Sequence, residues 1–203
     1  SPATDRLCMA ARKSHTYVVM GMSELDPQYP GTLYMSQLII SDEGHIIGVH
    51  RKLVTTIIEK MIYSCGDGSH LNVYDTPYGK LSAMMCGEHS HDLFKYALLA
   101  MGTQIHVAAW PAAPGWSYAP ALLTQKGQRD SIAFRVRQFA HAGKIFVINS
   151  MSITDSQNVT ISADTEEEKN KIVNNSGGGS FIVGPYGQYL AGPMEDGEGI
   201  ITA

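Results

Sequence analysis

"KLSAMMCGEHSHDLFKYALLAMGTQIHVAAWP", residues 80–111, decides the fold class. Residues 80–86 form a short, nearly continuous apolar run, the pattern of a strand covered on both faces. Residues 91–102 read as a helix that Gly102 ends. Residues 103–111, "TQIHVAAWP", read as the next buried strand. Strand, turn, helix and strand in that order give an α/β protein.

Upstream, the pattern turns to hairpins. "TLYMSQLIIS" (32–41) and "HIIGVHRKL" (45–53) are two strands joined by the turn "DEG" (42–44), so antiparallel neighbours carry His50-Arg51-Lys52 to a strand end. "TYVVMGMSE" (16–24) is a strand by its β-branched content, followed by the turn-rich "DPQYPG" (26–31). Ser1-Pro2 has the form of a helix cap with proline at the first helical position, and Leu7, Ala10, Ala11 and Ser14 then share one face. Residues 54–70 are irregular, and "LNVYDTPYG" (71–79) is a strand closed by a Pro-Tyr-Gly turn. Downstream, "AAPGWSYAP" (112–120) is a loop and residues 129–143 are a helix with apolar positions Ile132, Ala133, Val136, Phe139 and Ala140. "KIFVINS" (144–150) is a strand, 163–175 an exposed polar insertion with a short helix, 177–193 a hairpin, and 197–203 the start of another strand. Hairpins flank the alternating middle, so the sheet is mixed. No linker divides the 203 residues, which read as a single, partial domain.

Composition excludes several classes. Net charge is −4, with no basic stripe, so nucleic acid is a poor partner. No apolar run approaches the roughly 18 residues of a membrane span, and the N-terminal "SPATDRLCMAARK" lacks a signal-peptide core. The three cysteines, Cys8, Cys65 and Cys86, are odd in number and far apart, which argues against a disulfide scaffold and suits a reducing cytoplasm. In such a compartment the triplets Asn158-Val159-Thr160 and Asn174-Asn175-Ser176 are chance matches to a glycosylation signal.

Cys86 stands where a buried strand ends and a helix is about to start. Backbone N–H groups and the helix dipole favour a thiolate there, and the N–H groups of Gly87 and Glu88 offer donors for an oxyanion. The plain alternative is an inert core cysteine, the reading that fits Cys8 and Cys65. A metal site built from Cys86, Glu88, His89 and His91 fails on spacing, because known zinc pairings are wider and no second ligand cluster is present. Lys52 is either a snorkelling surface lysine or a cation beside the thiolate. Glu59, seven residues on, either fixes that lysine or is a solvated loop carboxylate, and spacing alone favours the latter.

Several of these stretches together resemble the nitrilase, or carbon–nitrogen hydrolase, superfamily. "TLYMSQLIISDEGHIIGVHRKLV" is similar to its lysine-bearing strand pair, and "GDGSHLNVYDTPYGKLSAMMCGEH" to its nucleophile segment, commonly Cys-Trp-Glu-Asn. "IHVAAWP" and "GGGSFIVGPYGQYLAGP" resemble the nitrilase branch in particular. The resemblance implies a four-layer αββα sandwich with mixed sheets, lacking here the first strand and helix and the C-terminal extension. It implies a Glu-Lys-Cys triad with neither metal nor organic cofactor: Cys86 as nucleophile, Lys52 as the lysine, and Glu59 as the additional glutamate near it. It also implies that Gly87, Glu88, Trp110 and Pro111 line the substrate.

The implied activity is hydrolysis of a nitrile to a carboxylic acid and ammonia through a thioimidate and a thioester, in a cytoplasmic homo-oligomer, a dimer or spiral. An amidase or carbamoylase, or a non-catalytic pseudoenzyme or assembly subunit of the same fold, are the alternatives. The family's general-base glutamate is expected on a strand before Ser1, and Glu24 does not take its place. The 203 residues alone are therefore expected to turn over little or not at all. Gly87 replaces the usual tryptophan and is expected to loosen the wall beside the nucleophile. His89 replaces the usual asparagine, and Thr55 stands where proline is common. Trp116 and Tyr118 are expected to shape the acyl pocket.

Overall fold

The computed structural model describes residues 1–112, 125–153, 165–167, 169–170, 178–195 and 197–203, with backbone alone at Ile58, Gln125 and Lys126. The chain forms two compact units, Ser1–Val107 and Ala108–Ala203. The readings for residues 113–120 of the loop 112–120, with Trp116 and Tyr118, for most of 163–175 and for the two glycosylation-like triplets fall outside the described residues.

In the first unit, helix α1 (Pro2–Ser14) starts at Ser1, whose hydroxyl accepts the Thr4 N–H at 3.3 Å. It lies on a sheet of β1 (Val18–Leu25), β2 (Leu33–Ile40) and β3 (Ile46–Arg51), with Ala11 packed among Leu38, Ile40, Val18 and Val49. β1 and β2 run antiparallel from Val18↔Ile40 to Leu25↔Leu33. β2 and β3 pair Ser36↔Arg51 and Gln37↔His50, so adjacent basic residues of β3 face opposite sides. A short strand β4 (Tyr63–Ser64) joins β2 in parallel, which makes this sheet mixed. Residues 54–70, irregular in sequence, hold that strand and two 3-10 turns, Ile57–Met61 and Gly68–His70.

The next layer is the antiparallel hairpin of β5 (Val73–Thr76) and β6 (Gly79–Met85). β3 meets it where Gly48 lies against the Tyr74 ring, too close for any β-carbon. Residues 81–85 of β6 are buried without alternation, as a strand covered on both faces requires. Helix α2 (Asp92–Ala100) ends at Gly102, φ 88°, and β7 (Ile105–Trp110) follows.

In the second unit, helix α3 (Gln125–Gly143) buries Ile132, Val136, Phe139 and Ala140. It begins four residues before the apolar periodicity does, because Gln and Lys extend a helix without needing a core. β8 (Phe146–Met151), β9 (Ser180–Val183) and β10 (Tyr189–Met194) are antiparallel in that order. The Gly-Pro-Tyr-Gly turn between the last two closes with Gly187 N–H on the Gly184 carbonyl, 2.9 Å. Residues 197–203 do not form the expected strand. A β-rich composition makes a strand only against a partner, and among the described residues they have none; Ile200 is 93% exposed.

Candidate active site

The sharp end of β6 delivers Cys86, half-buried, at φ 51°. That left-handed backbone is costly for a residue with a side chain and occurs where surrounding structure enforces it. The chain then makes a 3-10 turn, Cys86–Ser90, and α2 begins only at Asp92. The thiol is therefore set by a strained turn, not by the α-helix end that the sequence suggests. Ile57, in the loop after Lys52, holds the same conformation at φ 49°.

Glu88 ties these two strained loops together. Its side chain is fully buried. One carboxylate oxygen accepts the Leu53 N–H at 2.8 Å; the other accepts the Met85 N–H at 2.9 Å and meets His50 Nε2 at 2.8 Å. Leu53 follows Lys52 and Met85 precedes Cys86, so one carboxylate fixes the backbone beside both candidate residues. Burial alone raises the Glu88 pKa, but His50 and the two N–H donors outweigh it and hold the group below the usual carboxylate range. With three intraprotein bonds, this carboxylate is a positioning group.

Lys52 is 0% exposed, which rules out the snorkelling alternative. Its ammonium donates to Glu59 at 2.6 Å. Glu59, whose side chain is 14% exposed, is not the solvated loop residue that spacing favours. The same Glu59 oxygen accepts the Thr56 N–H at 2.6 Å. Thr56 in turn abuts Gly87: a β-carbon there would stand 3.0 Å from the Thr56 hydroxyl. A larger residue at 87 would have to displace Thr56, so the wall on this side is bounded rather than open.

In the second unit Trp110 is buried, with the Arg135 guanidinium 5.2 Å above its ring, and Pro111 is exposed. His91 is exposed and lies against Phe94. His89 and His106 are fully buried and share a hydrogen bond of 3.0 Å. Among the described residues no group of three or more His, Cys, Asp or Glu side chains could hold a metal ion. Cys65 is exposed rather than a core residue, and Thr55 holds its thiol below the usual range by side-chain and backbone hydrogen bonds. Glu24 is committed to Arg51 and Ser36. Sequence reasoning missed His50, Thr56, Ser82 and His106 as parts of this region. Cross-strand pairing alone would have flagged His50, opposite the buried Gln37.

A sequence profile described as carbon–nitrogen hydrolase matches residues 1–203. The aliphatic nitrilase of Rhodococcus rhodochrous is 38% identical over 204 residues, covering 100% of this chain and 54% of that protein. Nitrilase 1 of Arabidopsis thaliana is 35% identical over 209 residues, covering 100% of this chain and 55% of that protein. The chain thus spans about half the length of these relatives. Among solved structures, a carbon–nitrogen hydrolase from Helicobacter pylori G27 superposes with a TM-score of 0.78 at 20% identity, over 98% of this chain and 65% of that one, and establishes the shared α/β fold. On the profile and the relatives together, the chain belongs to the carbon–nitrogen hydrolase family.

Proposed function

We propose that this chain carries the nucleophile and the lysine of a nitrilase. The observation that carries the reading is the Glu88 carboxylate, which binds the N–H groups of both Leu53 and Met85 and so gathers the Lys52 and Cys86 loops. Kinship to nitrilases along the whole chain supports it further.

The Cys86 thiolate attacks the nitrile carbon, forming a C–S bond while the nitrile nitrogen takes a proton, which yields a thioimidate. Water adds to that carbon, and the C–N bond breaks with release of ammonia, leaving a thioester. A second water cleaves the C–S bond, giving the carboxylic acid and the thiol. Negative charge develops at nitrogen or oxygen in each addition. The buried Lys52 ammonium and the N–H groups of Gly87 and Glu88 are the donors to receive it. Glu59, bonded to Lys52, is the carboxylate of this chain beside the proton transfers. The family resemblance assigns the general-base role to a further glutamate, which is not Glu24. The family resemblance assigns Gly87, Glu88, Trp110 and Pro111 to the substrate lining.

A homo-oligomer and a reducing cytoplasm complete the proposal. Leu93 and Tyr96 stand exposed on α2, at 80% and 71%, and suit a contact between copies. None of the three cysteines is in a disulfide, which suits a reducing compartment. No helix among the described residues is long and apolar enough to cross a membrane.

Mass spectrometry of protein incubated with a small aliphatic nitrile tests the reading. The expected result is a substrate-dependent adduct on Cys86 that is absent from Cys86→Ala. Equal labelling of Cys8 or Cys65 would defeat it. Labelling by the matching amide but never by the nitrile would reassign the chain to the amidases.

A further inference from the structure

Lys52, Glu59, Glu88 and Cys86 leave two fully buried imidazoles unused, and the geometry points to a task for them. We propose that Ser82, His106 and His89 form a proton-ordered chain that aims the Cys86–Gly87 peptide, and so act as positioning residues for the nucleophile. The proposal rests on Cys86 being that nucleophile.

The order of protons follows from the partners. His89 Nδ1 lies 3.0 Å from the Cys86 carbonyl oxygen. A carbonyl only accepts, so Nδ1 carries the hydrogen; the proposed order requires a neutral ring, whose Nε2 is then bare. His89 Nε2 lies 3.0 Å from His106 Nε2, which must therefore donate. That leaves His106 Nδ1 as an acceptor, and the Ser82 hydroxyl stands 2.7 Å from it. Burial, the largest cause, pushes the His106 pKa well below that of an ordinary histidine, which keeps that ring neutral. With both rings neutral, each hydrogen along these three bonds has one position, from Ser82 through both rings to the Cys86 carbonyl. Ser82 lies on β6, His106 on β7 and His89 in the 3-10 turn, all at 0% exposure. The chain is tertiary structure, not a local cap.

Its end point is what gives it a function. A trans peptide is planar, with C=O and N–H pointing opposite ways. Holding the Cys86 carbonyl toward His89 therefore turns the Gly87 N–H to the other side, as a donor for the oxyanion. The same bond holds Cys86 at its costly φ of 51°. A polarised chain behind the carbonyl also strengthens that N–H as a donor.

A residue that merely filled space at 89 would be indifferent to where its N–H stands, and two substitutions separate the cases. Asparagine presents an N–H near the position of imidazole Nδ1; glutamine presents one near Nε2. The readout is the rate at which iodoacetamide alkylates Cys86, resolved by site in a mass spectrometer. His89→Asn is expected to stay within about threefold of the unaltered chain and His89→Gln to fall about tenfold, the worth of one lost hydrogen bond. Ser82→Ala and His106→Gln should fall between them. Nitrogen-15 spectra of the unaltered chain should show His89 protonated at Nδ1 and His106 at Nε2.

Equal alkylation of the Asn and Gln variants, or a His89 proton on Nε2, overturns the proposal. The spectra decide alone if a variant does not fold. Because alkylation needs no nitrile, a missing nitrile adduct alongside these results would remove the nitrilase reading and leave the chain of protons standing.

Discussion

Two ion pairs hang from adjacent residues at the end of β3, and they are built to different ends. Arg51 meets Glu24 with Nε 3.1 Å from both carboxylate oxygens and Nη2 2.6 Å from one of them. Asp26 stands 3.4 Å from the same guanidinium, the Tyr34 ring 4.1 Å below it, and Ser36 donates to Glu24 at 2.6 Å. Both partners are about 17% exposed. Lys52, one residue on and fully buried, has a single side-chain bond among the described residues, to Glu59. The first pair is closed on itself. The second holds a charge away from water, where it is strongest, and leaves the ammonium with donors in reserve. Saturation marks the structural pair; spare capacity marks the one fitted to act on something else.

Exchanging each cation for methionine should therefore separate the two pairs by their effect on labelling. Lys52→Met is expected to slow nitrile labelling of Cys86 by about a hundred- to a thousandfold, the scale of a lost oxyanion donor. Its stability should fall as well, by about 3–5 kcal/mol, because Glu59 is left in the interior without its cation. Arg51→Met should label within about threefold of the unaltered chain, yet lose about 1–3 kcal/mol in denaturant unfolding, since Glu24 and Asp26 are left without their donor. Labelling slowed equally by both changes would erase the distinction.

Glu59→Gln sharpens it. An amide oxygen still accepts the Thr56 N–H, so the loop is retained while the carboxylate beside Lys52 loses its charge. A ten- to hundredfold slower labelling is expected, about the lower range for a proton-transfer group.

Next in size is Glu88, which acts on structure. Glu88→Gln should cost about 2 kcal/mol, because an amide cannot accept at both oxygens from three donors. The native pKa of Glu88 is depressed, so its contribution is full above the unfolded value, about 4.3, and is lost as pH falls from there through the folded value. The difference in stability between the two proteins should be constant from pH 7 to 5 and shrink below that. A gap that widens on acidification would mean that Glu88 is not ionised in the fold.

How much of this was legible in the chain is itself a physical question. Hairpins and apolar strands were, because their signals are local: the turn after Ser41, the Gly102 stop, the unbroken run of 81–85. Cys86 stood out as the end of such a run. What spacing could not weigh was burial of charge. Lys52 stayed open between surface and site, and Glu59 read as a solvated loop residue, because nothing in seven positions of irregular sequence announces that the loop folds back on itself. The Glu88 bonds join residues 35 and 38 positions apart, and the His89–His106 bond spans 17. Such contacts exist only once the strands are stacked. The absent strand at 197–203 makes the same point in reverse, since a strand is a property of a pair.

The smallest expected effect uses Cys65 as a voltmeter for the two cations. Its thiol pKa is lowered first by the Thr55 hydroxyl and backbone, against a small opposing effect of burial, and then by the charges of Lys60 and Lys52. Arg51 is not among those causes. The pH profile of Cys65 alkylation should therefore move upward in Lys52→Met, and only slightly, because Lys52 is the last of its causes and the thiol is exposed. The profile should not move in Arg51→Met. Cys65→Ser, meanwhile, should leave nitrile labelling of Cys86 within about twofold, because a thiol held by Thr55 takes no part in the bond changes. A Cys65 profile that follows Arg51 instead of Lys52 would place the active cation on the other face of β3 and invert the assignment of the two pairs.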